Sequence, residues 1–299
     1  MKKTVFIHTN AKQMAGAIVG KRSLKRNSGD PDAFDVQIAL KEDFPVFAEF
    51  EGRKFLRGGA WRIWENADLQ SFTPVRFMPP EIMGYEGRAI VIDPDVFAVG
   101  DINELFDRDM EGKAIFAKHR PGHKGLSDYV ASSVMLLDCQ KLAHWNVKDQ
   151  FEQMFAGDMD YEEWIGLRTE PAGTIGYLES FWNDFDRLKP DTRLIHNTKR
   201  RTQPWKTGLP IDFTNRPPKI LRMLGLSGYK RKGKYLRHPD PRQEQFFFSL
   251  LKECLDAGEI TEEQINEEMA QNHVRHDAYD VMKSAPAVDL LLNEVRKAA

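Results

Sequence analysis

An α/β fold, with a mostly parallel sheet flanked by helices and a helical appendage at the C-terminus, is what this 299-residue sequence predicts. Three observations carry that reading. Short apolar runs of strand character alternate with segments of helical period from Thr4 to His196, the pattern of strands joined by crossover helices. After the stretch GLPIDF (Gly208–Phe213) the alternation stops, and NRPPK (Asn215–Lys219) marks a break. Beyond the break lie two segments with complete helix signals.

The elements follow in order. TVFIH (Thr4–His8) reads as a first buried strand, and the next segment has helical period, with Met14, Ile18 and Leu24 on one broad face. FDVQIAL (Phe34–Leu40) alternates apolar and polar residues as a second strand. A helical segment is expected around LRGGAWRIWENA (Leu56–Ala67), and a short helix within Val75–Tyr85, opened by Pro79 and Pro80. RAIVI (Arg88–Ile92) is a strand, and Asp101 caps the helix start DINELF. KAIFAKH (Lys113–His119), SSVMLLD (Ser132–Asp138) and TRLIH (Thr192–His196) complete the strands. In the appendage, Asp240 caps a helix with Pro241 in its first turn and Gly258 as terminator. Thr261 and Gln264 form a capping box for the next. The expected division is residues 1–215 as the α/β domain and 216–299 as a basic linker with a helical extension.

Composition bounds the class. Hydrophobic residues make up 41% and charged residues 29%, the balance of a soluble globular protein rather than a disordered one. No apolar run approaches the roughly 20 residues of a membrane helix. The apolar stretch in MKKTVFIHTN is too short for a signal-peptide core, which needs roughly 7–15 residues. Cys139 and Cys254 lack metal spacing, so a reducing compartment and a cytoplasmic location are expected. The net charge of −2 is unevenly spread: Lys199 to Arg237 holds twelve Lys or Arg against Asp212 alone. One reading is a solvated face; the other is a surface that meets phosphates on a nucleotide, a lipid headgroup or an acidic polymer. On the second reading Tyr229–Arg237 makes peripheral contact with an anionic membrane, the alternative being a solubilising loop. No nucleic-acid recognition motif accompanies the charge, so no nucleic-acid partner is expected.

The chemistry concentrates where Arg88–Ile92 ends on Asp93-Pro94-Asp95. Burying an unpaired carboxylate is costly, so two of them need partners, water or a cation. Residues i and i+2 at a strand end point to the same side, and Pro94 holds Asp93 extended, so both carboxylates can meet one point. Two hard carboxylates suit Mg²⁺ or Mn²⁺. Open α/β sheets bind ligands beyond the carboxyl ends of their strands, where this pair lies. An isolated Asp-x-Asp is otherwise a turn or helix cap. Haloacid-dehalogenase-type phosphatases also follow a strand with Asp-x-Asp, but Phe97 stands where they place Thr or Val, and no later paired-acid motif appears.

Three segments in order resemble glycosyltransferase family 8, the retaining nucleotide-sugar transferases that include glycogenin. They are HTNAKQMAGAIVGKRSL (His8–Leu24), RFMPPEIMGYEGRAIVIDPDVFAVGDINELF (Arg76–Phe106) and TRLIHNTKRRTQPWKTG (Thr192–Gly208), and the resemblance spans residues 4–210. It implies a GT-A, Rossmann-like mixed sheet and a divalent cation, usually Mn²⁺, between the protein and the donor diphosphate. The implied ligands are Asp93, Asp95 and His196, and an imidazole beside two carboxylates favours Mn²⁺ over Mg²⁺. His8, Thr9 and Asn10 would line the nucleotide, with Gln13, Arg76 and Pro94 near the donor. Gln13 stands where members often carry a stacking tyrosine, Gln203 where a lysine grips the diphosphate, and Ala131 in an asparagine slot. Lys199, Arg200, Arg201 or Lys206 would supply the missing charge. The implied function is transfer of a hexose from a UDP-sugar to a glycan, lipid-linked or other acceptor. For the polar group near the anomeric carbon the candidates are Asp128, Asp149-Gln150 and Asp160, each with a surface acid as its plain alternative. The rival readings are the phosphatase and a non-catalytic protein that binds a polymer through the basic segment.

Overall fold

Among the described residues the strands form a six-stranded sheet, a three-stranded sheet and two two-stranded pairs, and the chain passes from the first to the second at Asp93–Asp95. The computed structural model describes residues 1–68, 71–121, 128–215, 229–230 and 232–297. It runs β1 (Lys3–Thr9), α1 (Met14–Arg26), β2 (Asp35–Leu40), α2 (Val46–Glu49), β3 (Lys54–Arg57), β4 (Ala60–Ile63), α3 (Pro79–Ile82), β5 (Arg88–Ile92), β6 (Val96–Ala98) and α4 (Asn103–Phe106). β7 (Ile115–Arg120), β8 (Tyr129–Asp138), α5 (Val147–Ala156), α6 (Tyr161–Ile165), β9 (Ile175–Tyr177), β10 (Asp184–Phe185) and β11 (Leu194–His196) follow. Helices Pro241–Asp256, Glu262–Ala270, Ala278–Ser284 and Val288–Lys297 form the C-terminal extension. Of the basic segment, residues 216–228 and Arg231 lie outside the described residues. No described helix is long and apolar enough to cross a membrane.

The main sheet has the order β2-β1-β5-β8-β7-β9. β1 runs parallel to β2 and β5, and β9 parallel to β7, but β8 is antiparallel to both β5 and β7. The sheet is therefore mixed, as the family resemblance implies, and not mostly parallel as the alternation alone suggests. The reason is the short connection between β7 and β8: a reversal of direction needs no crossover helix, whereas a parallel return does. β1 and β5 are buried at nearly every position, since both faces of the sheet are covered. Ala89 and Val91 meet a layer containing Phe47, Trp145 and Trp164, while Ile90 and Ile92 meet Leu24, Leu105 and Phe106.

The segment expected to be helical around Leu56–Ala67 is instead the hairpin β3–β4, with Arg57 paired to Ala60. Gly58 and Gly59 have φ of 60° and 72°, which a two-residue hairpin turn demands and a helix forbids. The Asp160 carboxylate accepts N–H bonds from Gly58 (2.9 Å) and Gly59 (2.8 Å), and also from Glu162 (2.7 Å) as the cap of α6. Burial alone would raise its pKa; these backbone donors outweigh burial and hold it below the ordinary carboxylate value. The folded chain then resists protonation of Asp160 more than the unfolded chain. Its contribution is full above the unfolded carboxylate range and is lost as pH falls through the depressed folded value. Asp160→Ala should cost about 1–2 kcal/mol at pH 7, read by urea unfolding, and the difference should shrink as the pH falls below 4. A pH-independent difference would contradict this role.

The C-terminal helices pack on the second sheet, whose order is β10-β11-β6. Phe246, Phe247 and Phe248 join Phe97, Ile195 and Trp205 in one core with Ala15 and Val19 of α1. Asp240 accepts from Arg242 N–H, and the Thr261–Gln264 capping box is present in both directions. On its other side α1 approaches the crossing point so closely that a Cβ on Gly16 would lie 2.4 Å from the Pro94 carbonyl oxygen.

Candidate metal centre

β5 ends at Ile92, and the Asp93 N–H extends the pairing with β8 through a 3.1 Å bond to the Ser133 carbonyl. The Val96 N–H then bonds back to the Asp93 carbonyl, closing a turn that turns the chain into β6. β6 pairs antiparallel with β11 so that Val96 faces His196, and the Asn197 N–H bonds the Asp95 carbonyl at 3.0 Å. Strand pairing thus carries His196 across the sequence to the aspartates. One ligand atom from each of Asp93, Asp95 and His196 lies within 4.8 Å of the others.

The two carboxylates live in different surroundings. Asp93 Oδ1 accepts from Arg76 Nη2 at 2.9 Å and lies 2.8 Å from His8 Nε2. Burial would raise its pKa, but Arg76 and then His8 overcome burial and hold Asp93 well below the usual carboxylate range. The same burial lowers the His8 pKa despite Asp93. Asp95 lies 3.2 Å from His196 Nε2 and accepts from Gln203 Nε2 at 3.3 Å. Burial would lower His196, yet Asp95, with Asp93 further off, raises it above the ordinary histidine value. Arg76 is itself fixed by a 2.7 Å bond to Ser132 Oγ.

A second layer orients the imidazole. His196 Nδ1 donates to the Asn183 carboxamide oxygen at 2.9 Å, and Asn183 Nδ2 donates to Ser133 Oγ at 3.0 Å. Nδ1 is thereby occupied and Nε2 faces the carboxylates, the arrangement that metal-ligating histidines use. Asn183→Ala should weaken Mn²⁺ binding about 10–100-fold by calorimetry, and Asn183→Asp, which keeps an acceptor, should recover part of it. Equal affinity in all three proteins would remove Asn183 from the centre.

The other anticipated residues divide. Thr9, Asn10 and Gln13 are buried at the carboxyl end of β1 beside His8, and Gln203 reaches Asp95. Lys199 is exposed, its backbone N–H on Asp186. Lys206 is fully buried, with Nζ 2.6 Å from Asp212; burial lowers its pKa and Asp212 opposes that only in part. Asp128 sits 3.2 Å from His119 with a side chain 66% exposed, and Asp149 is an exposed residue in the first turn of α5. Neither these two nor Asp160 belongs to the group around Asp93.

A cavity of about 490 Å³ adjoins the centre. Arg76, Ser132, Ser133, His196 and Thr198 line the side toward it, and Arg120, Tyr129, Glu162, Arg168 and Phe185 line other parts of the wall. Asn183, Ser132, Arg120, Glu162 and Arg168 escape the sequence reading because they carry no local motif. They come from separate stretches of the chain: Arg120 from β7, Ser132 from β8, Glu162 from α6, Arg168 from the turn after α6 and Asn183 from the segment before β10.

No protein-family model matches the chain, and no curated protein matches its sequence. Among solved structures it is similar to the galactosyltransferase LgtC in complex with donor and acceptor sugar analogues, at 18% identity and a TM-score of 0.44, over 68% of this chain and 89% of that one. The apo glycosyltransferase GlyE of Streptococcus pneumoniae TIGR4 overlaps at 13% identity and a TM-score of 0.49, over 86% of this chain and 63% of that one. Mouse xyloside xylosyltransferase 1, also apo, overlaps at 16% identity and a TM-score of 0.42, over 66% and 98%. At such values an overlap assigns no chemistry by itself.

Proposed function

We propose that this chain is a metal-dependent retaining glycosyltransferase resembling family 8, moving a hexose from a UDP-sugar to a glycan, lipid-linked or other acceptor. The observation that supports this most is the convergence of Asp93, Asp95 and His196 at the carboxyl end of β5. Their donor set suits Mn²⁺, with Mg²⁺ as the harder alternative. Buried polar atoms near the centre also fit a polar ligand: His8 Nδ1, Gln13 Oε1 and Gln203 Oε1 lack a hydrogen-bond partner among the described residues.

A bound cation would supply Lewis-acid stabilisation of the charge growing on the departing diphosphate. The chain's own residues do the rest. His8, Thr9, Asn10 and Gln13 hold the nucleotide, with Pro94 at the turn between the two ligating aspartates. Arg76, fixed by Ser132 and Asp93, adds a guanidinium beside the donor, where a preorganised positive charge favours the more anionic transition state. Asn183 keeps His196 Nε2 turned inward. Lys199, exposed on the segment after β11, would close over the diphosphate.

A thermal-shift series with UDP, Mn²⁺ and both together tests the reading, because a ligand that binds only the native state raises its melting temperature by mass action. UDP and Mn²⁺ together should raise it by more than the sum of either alone. No shift with both ends the proposal. Phosphate release from a simple phosphoester, with no nucleotide required, would favour the phosphatase instead.

A further inference from the structure

Asp186, the residue after β10, holds its backbone in the left-handed region with φ of 55°, which glycine enters freely and other residues at a cost. Its side chain is 8% exposed and reaches the turn after β11. Oδ2 accepts from Thr198 Oγ1 at 2.5 Å and Oδ1 from the Lys199 N–H at 3.3 Å. The Asp186 N–H bonds the His196 carbonyl at 2.9 Å. One residue thus grips the start of the segment that leads from His196 through Lys199 to Gln203, whose Nε2 meets Asp95.

The other side of this carboxylate meets the C-terminal extension. His238 Nε2 stands 4.0 Å from Asp186 Oδ1, on a side chain 1% exposed, and has no hydrogen-bond partner among the described residues. A ring nitrogen buried against a carboxylate favours carrying the proton, which leaves Nδ1 to accept the Asp240 N–H at 3.0 Å. Asp240 in turn caps the helix Pro241–Asp256. At two further points the extension bonds the same segment through the backbone. The Leu236 N–H meets the Arg201 carbonyl and the Arg275 N–H meets the Trp205 carbonyl, each at 2.7 Å. A helix cap of the extension is therefore connected, through two side chains, to the turn that sets where Lys199 leaves the sheet.

The three ligating side chains are held by other means. Asp93 and Asp95 come from the crossing between β5 and β6, and Asn183 orients the His196 ring. What Asp186 and His238 govern is the segment after His196.

We propose that Asp186 and His238 are positioning residues for the donor diphosphate, through which the C-terminal extension sets segment 198–203 against it. The proposal rests on the nucleotide-sugar reading, and its test separates the two.

Calorimetry on the full chain gives the Mn²⁺ affinity alone and the UDP affinity at saturating Mn²⁺. Asp186→Gly relieves the backbone but removes the carboxylate, and should bind UDP about tenfold more weakly, the effect of roughly one hydrogen bond. Its Mn²⁺ affinity should stay within about twofold, the scatter between sites that do not interact. Asp186→Asn, which tolerates the same backbone and keeps an acceptor, should fall between it and the wild type. His238→Gln keeps a donor toward Asp186 and should retain more UDP affinity than His238→Asn, which keeps only the acceptor for Asp240. Lys199→Ala should weaken UDP as well, and combining it with Asp186→Gly should cost less than the sum of the two, since one acts through the other. A cooperative thermal transition shows that each variant is folded, and Asp186→Asn carries the test should Asp186→Gly not fold. Unchanged UDP affinity in a folded Asp186 variant overturns the proposal, as do equal losses of Mn²⁺ and UDP affinity. So does equal binding by the two His238 variants, or full additivity with Lys199→Ala. Each of these leaves the transferase reading standing. Failure of UDP to bind the wild-type chain with Mn²⁺ ends the transferase reading, and this proposal with it.

Discussion

Asp95→Asn should reduce Mn²⁺-dependent UDP release more than about 100-fold, beyond the usual cost of disturbing a residue one layer behind a metal, and should leave the protein folded. Asp93→Asn should lose the same activity and also destabilise the chain by about 3–5 kcal/mol, the cost of orphaning one partner of a buried ion pair. The contrast follows from what each carboxylate neutralises. Asp95 faces His196, whose pKa is raised by Asp95 against burial; without Asp95 the ring sheds its proton and no buried charge remains. Asp93 faces Arg76, which cannot deprotonate and is only 8% exposed. Steady-state UDP release and urea unfolding of both variants measure the two effects. Near-wild-type turnover in Asp95→Asn would refute the metal assignment, and equal stabilities would refute the account of the ion pairs.

Phe247→Ala should destabilise the protein by about 3–5 kcal/mol, as deletion of a buried aromatic ring does. Phe247 stacks on Trp205 at 4.7 Å and meets the edge of Phe97 at 5.6 Å. It therefore ties the helix Pro241–Asp256 both to β6, directly after Asp95, and to the segment that brings Gln203 to Asp95. The loss should reach the metal centre as well as the melting temperature, with Mn²⁺ affinity falling about tenfold, the lower end of the effect for supporting residues. Phe247→Leu, which keeps most of the volume, should cost about 1 kcal/mol. A melting temperature near wild type in the alanine variant would mean that the extension packs more loosely than this contact set requires. A large stability loss with unchanged Mn²⁺ affinity would confine Phe247 to the core.

The C-terminal helices show what was legible. Asp240, Pro241 and Gly258 delimit one helix, and Thr261 with Gln264 opens the next, because caps satisfy backbone groups within a turn and need only neighbouring residues. The hairpin at Leu56–Ala67 departs from the expected helix although its signal is equally local: Gly58-Gly59 fits a tight hairpin turn, and the apolar residues around it have no clear period. Sheet direction was harder. Whether β8 runs with or against β5 depends on what fills the space between them, and alternation along the chain records that poorly.

The acid pair was readable because two residues of spacing at a strand end nearly guarantee proximity. His196 was nameable only through a family resemblance, and Asn183, Ser132, Arg120 and Arg168 through nothing local. The sequence by itself determined the ends of the C-terminal helices, the main buried strands such as β1 and β5, and the Asp93–Asp95 pair, since each depends on interactions within a few residues. Only the tertiary structure decided which distant side chains face that pair: β6 pairs with β11 and β5 with β8, and long-range register follows from burial of whole faces, not from any short stretch of chain.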